Sequence, residues 1–506
     1  MSTLTNESPG SAPASASLDP HSRASHNGTE GTTDPPGPGH RDAAGRRRPT
    51  VPLWLAIVAT SLPMFLATLD NLVMTTALPV IQRDLDATVE QLAWFLNAYT
   101  LAFAGFMLPA ATLGDRLGRR RTMLAGIAVF TLASVGAALS TTSEALVVAR
   151  AAQGLGAAAI MPLSLALLAG AVPERLRPAA IGIWGGVSGL GVAVGPVVGG
   201  AIVEGISWQA IFWVNVPVAA IAVGLLLAAV TESRGAAKPL DLVGTFLIGG
   251  AVLLATWGIV RGNDDGWTSP GVIASLAGGV ALLVGYVPWA ARRTHAVLPL
   301  RLFRSRSFSA ANAAALLFTL GMFGAVFLLS QYLQIVQGYS PLEAGIRTLP
   351  WTAAPMVVAP LAGLLAPRVG VRPLLVSGLT LQTVALVWFA RVAEAGLDYG
   401  AFVTPLALAG IGMGLTFAPA ATAVLDGLPH EDFAVASSAN STIREFGVSL
   451  GVATLTAVFL GAGGQLTPTG YDGAVGPALL TGAVAVGAAV VAALFLPARR
   501  RTPAAG

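Results

Sequence analysis

Two charged side chains stand where charge is costly. Asp70 follows 21 uncharged residues, Pro49 to Leu69, and precedes 12 more, ending at Gln82. Arg150 opens the run Arg150-Ala151-Ala152-Gln153-Gly154-Leu155-Gly156, with no acid within five residues on either side. Charge inside hydrocarbon is expensive, and it marks a cavity, an ion pathway or a partner. A carboxylate at such depth is expected to hold a proton more tightly than in water, because desolvation penalises the charged form. Asp70 is therefore a candidate proton carrier, with a structural Asp bonded to a helix neighbour as the alternative. For Arg150 the alternative is an arginine snorkelling to the membrane interface. A second charged pair, Arg444-Glu445, lies in Asn440-Ser441-Thr442-Ile443-Arg444-Glu445-Phe446-Gly447. Adjacent helix residues point about 100° apart, so these two need not pair with each other. A structural interhelical pair, or a position near the inner interface, is preferred for them; a second proton or cation site is the alternative.

The elements that must hold these residues are membrane spans. Apolar residues make up 54% and charged residues 11% of the chain, against about a quarter charged in soluble domains. Runs of about 20 apolar residues, enough to cross the hydrocarbon core, recur at 53–81, 92–112, 122–140, 145–171, 179–203, 210–230, 242–260, 271–290, 309–334, 349–367, 373–391, 400–420, 434–460 and 475–497. Residues 1–50 form a polar tail rich in Ser, Pro, Gly and Thr, ending in Arg46-Arg47-Arg48. Such a segment cannot bury enough surface to order itself, and it lacks a signal peptide's apolar core. If that tail is cytoplasmic, the inner loops and tail ends collect 22 basic residues and the outer loops four: Arg83, Arg261, Arg347 and Arg391. The asymmetry fits an even number of spans with both termini inside.

The fifth span is unusual. Gly189 to Gly200 holds Gly191, Gly195, Pro196, Gly199 and Gly200 in an apolar helix, although Gly costs about 1 and Pro about 3 kcal/mol in a helix interior. Membrane helices use small residues for close backbone approach, so a kinked, tightly packed helix is expected. The loop after the second span, Leu113-Gly114-Asp115-Arg116-Leu117-Gly118-Arg119-Arg120-Arg121, has a partial copy after the tenth, Leu365-Ala366-Pro367-Arg368-Val369-Gly370-Val371-Arg372. Gly114 and Gly118 allow a tight turn, and Asp115 can cap a helix or pair with an arginine. The repeat implies two six-helix halves, 51–231 and 307–497, with a site between them near midplane. An inserted helix pair falls within 232–306, and 498–506 is a cytoplasmic tail.

These motifs resemble the major facilitator superfamily, in its fourteen-helix drug:proton antiporter branch. The loop at 113–121 resembles that superfamily's loop signature, with Ala111 where the family has Gly. The resemblance implies that Gly114, Asp115, Arg116, Gly118, Arg119 and Arg120 form a cytoplasmic latch between the halves. Pro367 stands where the second copy would carry Asp. The stretch Leu69-Asp70-Asn71-Leu72-Val73-Met74-Thr75-Thr76-Ala77-Leu78-Pro79 resembles the first-helix signature of drug exporters, which implies proton coupling at Asp70, assisted by Arg150. Gly195-Pro196-x-x-Gly199-Gly200 matches the fifth-helix antiporter motif. Trp208 to Pro217 is also similar to that branch, with Gln209 where Arg is usual. The implied fold is all-α with fourteen transmembrane helices arranged 6 + 2 + 6. The implied activity is proton-driven efflux of hydrophobic or cationic small molecules, such as antibiotics, across the plasma membrane.

Rival readings are a proton-coupled nutrient symporter, against which the 195–200 motif argues, and a non-transporting membrane sensor, which needs neither Asp70 nor Arg150. A phosphate loop needs Gly-Lys-Ser/Thr, and the single lysine, Lys238, lies between Ala237 and Pro239. With no cysteine and no histidine in a span, neither a metal site nor a catalytic triad has material, so no enzyme activity is expected. No cofactor beyond the proton gradient and no nucleic-acid partner is expected. The partners are substrate, protons and lipid, and the chain is expected to be monomeric. Trp257, Phe318, Phe323, Phe327, Tyr332, Trp351 and Phe417 are candidates to line an apolar cavity.

Overall fold

A computed structural model describes residues 52–497 apart from 174–175, 236–238, 240, 264, 394–398 and 430–431. The tails at 1–50 and 498–506, with Arg46–Arg48, Arg175, Lys238 and Arg499–Arg501, lie outside the described residues, as does the side chain of Pro367. Every regular element described is helical. The first half comprises α1 (Leu53–Leu85), α2 (Val89–Leu117), α3 (Arg119–Ala138), α4 (Ser143–Ala171), α5 (Arg177–Gly205), α6 (Ala210–Trp213) and α7 (Asn215–Ala229). An intervening pair follows, α8 (Leu242–Arg261) and α9 (Pro270–Ala291). The second half comprises α10 (Arg306–Ile335), α11 (Pro341–Arg347), α12 (Leu349–Thr352), α13 (Ala354–Val369), α14 (Val371–Val392), α15 (Gly400–Leu425), α16 (Phe433–Gly461) and α17 (Pro468–Leu494).

Thirteen described helices, counting α6–α7 and α12–α13 as one each, are long and apolar enough to cross a membrane, and α5 carries a shorter apolar stretch, Leu190–Gly205. They coincide with the fourteen expected spans. Their ends are set by local chemistry. Thr88 and Gln91 form a reciprocal capping box at the start of α2, satisfying two of the backbone N–H groups a helix leaves unpaired. Thr142 and Ser269 cap α4 and α9 in the simpler way.

Two spans differ from a simple apolar rod. The tenth is broken into α11, α12 and α13, with Pro341, Pro350 and Pro355 each in a first turn, where a missing N–H costs nothing. Glu343 and Arg347 sit on α11, ahead of the expected span at 349–367, and approach within 3.7 Å of each other. The sixth span breaks between α6 and α7, so that Asn215 starts a helix.

The internal repeat survives as geometry. Gly118 (φ 120°, ψ 128°) ends α2 and starts α3, and Gly370 (φ 98°, ψ 152°) does the same between α13 and α14. Both conformations lie where L side chains are strained, so the Gly shared by the two loop copies is required by the turn. The intervening pair lies over the seam between the halves. α8 packs on α9 and touches both α2 and α16. Phe446 of α16 and Ala104 of α2 share an apolar cluster with Ile248 of α8. Asp241 caps α8 through Gly244 N–H and also accepts from Trp289 Nε1 (2.9 Å) and Val297 N–H (3.0 Å), tying both ends of the pair together.

Candidate functional site

Asp70 and Arg150, 80 residues apart in sequence, meet in the first half: Arg150 Nη1 donates to Asp70 Oδ2 at 2.5 Å. Asp70 is 4% exposed and Arg150 fully buried. The snorkelling alternative for Arg150 therefore fails. Five helices build the surroundings. Gln153, one turn after Arg150 on α4, accepts from Arg150 Nη1 (2.9 Å) and donates to Asp70 Oδ1 (3.2 Å) and Ser134 Oγ (2.8 Å). Asn215, placed by the α6–α7 break, donates to Asp70 Oδ1 (2.7 Å) and Ser134 Oγ (3.1 Å). Arg150 Nε donates to the Phe95 carbonyl of α2 (3.0 Å), and its guanidinium lies 4.5 Å over the Tyr99 ring. Tyr99 in turn donates to the Ala67 carbonyl of α1 (3.2 Å).

The small residues of the Arg150–Gly156 motif explain how the helices come close enough. A Cβ on Gly154 would meet the Tyr99 carbonyl, and one on Gly156 would meet the backbone of Phe130 and Gly126. Gly154 thus brings α4 against α2, and Gly156 brings it against α3, which is the use membrane bundles make of small residues.

Three N–H donors converge on Asp70, while Arg150 Nη2 is buried without an acceptor.

The glycine-rich fifth span contacts two helices at once. A Cβ on Gly195 or Gly199 would run into Leu72 or Val73 of α1, while Gly191 faces Phe65 and Thr68 at ordinary contact distance. A Cβ on Gly200 would meet the Pro341 carbonyl and Leu342 of α11, and one on Gly345 would meet the Pro196 carbonyl. The motif therefore presses one half against the other. Polar bonds cross the same seam: Ser330 Oγ to the Thr75 carbonyl (2.9 Å), Gln334 Nε2 to the Thr76 carbonyl (2.9 Å), Thr352 Oγ1 to the Ala193 carbonyl (3.2 Å) and Leu342 N–H to the Glu204 carboxylate (3.2 Å). All lie between the middle of the bundle and the end away from the Leu113–Arg121 loop. Beneath them is a cavity of about 50 Å³ lined by Leu72, Pro196, Met322, Phe323, Trp351 and Met413 among others.

In the loop at 113–121, Asp115, Arg119 and Arg120 have partners within the first half and the segment leaving it. Asp115 pairs with Arg119 at 2.8 Å within the loop. Glu232, beyond α7, accepts from the N–H groups of Arg120 (2.9 Å) and Arg121 (3.1 Å) at the start of α3, and Arg120 Nη1 donates to the Val230 carbonyl (2.9 Å). Arg119 N–H donates to the Ser233 carbonyl, and Gly235 N–H to that of Asp115. Asp115, Arg119 and Arg120 thus dock on the segment leaving the first half rather than on the second half. Gly114 lies against Leu163 of α4, and a Cβ on Gly118 would strike the Glu232 carboxylate. Arg116 sits in the last turn of α2.

Arg444 and Glu445 form no salt bridge with each other. The Arg444 guanidinium stacks 5.3 Å over Phe417 of α15, while Glu445 acts electrostatically on Arg444 beyond salt-bridge distance and, more weakly among its causes, on Tyr99 of α2. Of the aromatic candidates, Phe323 and Trp351 line the apolar cavity and Phe318 pairs edge-on with Phe417. Phe327 and Tyr332 are buried in the core, and Trp257 lies under Arg261. Gln153 and Asn215 were visible in quoted motifs but without a role; Ser134 and Tyr99 carry no sequence signal at all.

Two helix bundles meeting at a central seam, with a buried charged network beside it, define a polytopic membrane protein of the transporter type. The Major Facilitator Superfamily profile matches residues 60–452, and the chain belongs to that family. It is 34% identical over 445 residues to the tetracenomycin C resistance and export protein of Streptomyces glaucescens, covering 87% of this chain and 81% of that one. It is 37% identical over 412 residues to the multidrug resistance protein Stp of Mycobacterium tuberculosis, covering 80% and 75%. With the cephamycin export protein CmcT of Amycolatopsis lactamdurans the identity is 34% over 471 residues, covering 91% and 96%. Among solved structures, an auto-inhibited POT family peptide transporter aligns with TM-score 0.62 at 16% identity, covering 87% of this chain and 97% of that one. A bacterial homologue of the human lysosomal transporter Spinster, inward-facing and unoccupied, aligns with TM-score 0.62 at 15% identity, covering 88% and 97%. These two likenesses concern the fold alone.

Proposed function

We propose that this chain is a proton-driven exporter of hydrophobic or cationic small molecules, antibiotics among them, working by alternating access in the plasma membrane. The relatives named for export of, or resistance to, antibiotics support the direction and the substrate class. The observation that carries proton coupling is the buried Asp70–Arg150–Gln153–Asn215 network, whose carboxylate sits beside the seam on α1. The basic ends of the helices face the cytoplasm under the positive-inside rule, with both termini inside. The packed end, sealed by Gly200 against α11, then faces outward. In this state the outer path is closed.

Protonation of Asp70 from outside would release Arg150 to its other acceptors and loosen α1 from α4. Loss of that proton to the cytoplasm would restore the pair. One charge moved through 100 mV supplies about 2.3 kcal/mol, roughly a fiftyfold substrate gradient. Glu445, which acts electrostatically on Tyr99, is a second acidic group near the network. The loop at 113–121, through its docking on Glu232, fixes the cytoplasmic end of the first half.

Inside-out vesicles carrying the protein, energised and reporting pH through a quenched dye, test the reading. Substrate addition should dequench the dye, and Asp70→Asn should abolish the response. Absence of dequenching across cationic dyes and hydrophobic antibiotics, alongside uncoupler-sensitive nutrient uptake in whole cells, would replace export by uptake.

A further inference from the structure

Arg444 is the twelfth residue of the 29-residue helix α16, about 16 Å along it at 1.5 Å per residue. It is partly accessible, and its guanidinium faces a cavity of about 20 Å³ lined by Phe318, Thr416, Phe417, Asn440 and small residues of α10 and α15. Among the described residues no carboxylate lies within salt-bridge distance of it and no acceptor takes its N–H groups. Its one side-chain contact of note is the Phe417 ring, and its own carbonyl is used by Thr319 Oγ1 (2.9 Å). The neighbouring Glu445 acts on Arg444 electrostatically, but from beyond salt-bridge distance. Asn440, whose amide nitrogen donates to Asn312 Oδ1 (3.0 Å), lines the same cavity. Five N–H donors in a fixed fork, held by an aromatic face and opening into a cavity, make a receptor for an anionic oxygen.

The apolar cavity under the seal lies one helical turn away. Met322 follows Phe318 by four residues on α10, and Met413 precedes Phe417 by four on α15, so the two cavities are offset by about 6 Å. The smaller is water-sized and lined by Ala and Phe with Thr416, Asn440 and one cation, Arg444; the larger has Met322, Met413, Phe323 and Trp351. That combination fits one molecule with an apolar ring system and an acidic oxygen at one end.

We propose that Arg444 is a substrate-binding residue that takes the carboxylate or phenolate oxygen of an otherwise apolar aromatic molecule. The inference rests on the export reading and narrows its substrate class. An anion also leaves the cell down the inside-negative potential, which adds to the driving force for this class and opposes export of cations.

The test is fluorescence anisotropy with full-length protein in nanodiscs, using anthracene-2-carboxylate, anthracene-2-methanol and 2-(aminomethyl)anthracene as probes and empty nanodiscs as the blank. Wild type should bind the carboxylate roughly tenfold or more tighter than the alcohol, as expected for a charge-assisted pair. Arg444→Gln should bring the two to near equality, and Arg444→Lys should keep part of the preference. Equal affinities in wild type, tighter binding of the amine, saturation by none of the probes, or a preference that survives Arg444→Gln would overturn the site. The wild-type comparison needs no variant to fold. Vesicle dequenching read in parallel separates the two ideas. Equal binding with dequenching intact removes the anion site and leaves export standing, whereas a carboxylate preference without dequenching keeps the site and removes export.

Discussion

Replacing Asp70 by Asn isolates the energetics of the network. At 2.5 Å and an effective dielectric of about 20, the Asp70–Arg150 attraction is about 7 kcal/mol, against a desolvation cost of several kcal/mol for each ion. Both side chains are essentially inaccessible (0% and 1%), so solvent screening takes little from either term. The net worth of the intact pair is small, but the two single substitutions are not small. Asp70→Asn leaves Arg150 charged and uncompensated, and it turns an amide N–H₂ towards Gln153 and Asn215, which are donors themselves. Removal of one partner of a buried pair costs about 3–5 kcal/mol. Arg150→Met should cost a similar amount by stranding the carboxylate. The double substitution removes both charges and should cost well below the sum, with a coupling of about 3 kcal/mol. Equilibrium unfolding in mixed micelles measures all four proteins, and vesicle dequenching should be absent from every variant. Additive costs, with a coupling under about 1 kcal/mol, would refute the picture of a dry, mutually dependent pair.

Three other perturbations have expected outcomes. Asn215→Ala removes one donor to Asp70 and one to Ser134, and should cost about 1–2 kcal/mol in the same unfolding assay; an unchanged midpoint would remove Asn215 from the network. Gly345→Val places a side chain on the Pro196 carbonyl and should hold the sealed end open. The chain has no native cysteine, so maleimide labelling of Thr348→Cys in that background should rise several-fold from outside if the seal is as described. Gly118→Ala meets both a φ of 120° and the Glu232 carboxylate, and should cost about 2 kcal/mol. Glu232→Ala, which uncaps α3 without backbone strain, should cost about 1 kcal/mol, and circular dichroism melts would separate the two.

Three devices in this chain share one physical theme, close approach of backbones at glycine. Gly154 and Gly156 draw α4 onto α2 and α3, and so deliver Arg150 to Asp70. Gly195 and Gly199 seat α5 on α1. Gly200 and Gly345 let α5 and α11 meet across the seam. In hydrocarbon no hydrophobic force drives helices together, so packing of this kind supplies the association. It is also reversible, because a contact made of carbonyls and Cα atoms has little side-chain rearrangement to undo.

The spans, the repeat and the charged residues at depth were legible in the sequence because each is a local, one-dimensional property. Twenty apolar residues must cross the membrane as helix, since every backbone group needs a partner there. Asp70 and Arg150 stood out because charge in such a run is costly. Gly118 and Gly370 could be read as turns because only glycine accepts that backbone. What the sequence left undetermined was who meets whom. Asp70 and Arg150 are 80 residues apart, and Ser134 and Tyr99 are ordinary residues on ordinary helices until α3 and α2 close around them. The same applies to the basic loop, read as a latch between halves, whose N–H groups are taken by Glu232 from a segment with no distinguishing pattern. It applies too to Arg444, whose stacking on Phe417 of α15 no local pattern announced. Local sequence sets which residues must be helical and which are costly to bury; only the packing of one helix on another decides which costs are shared, and that is where the site is made.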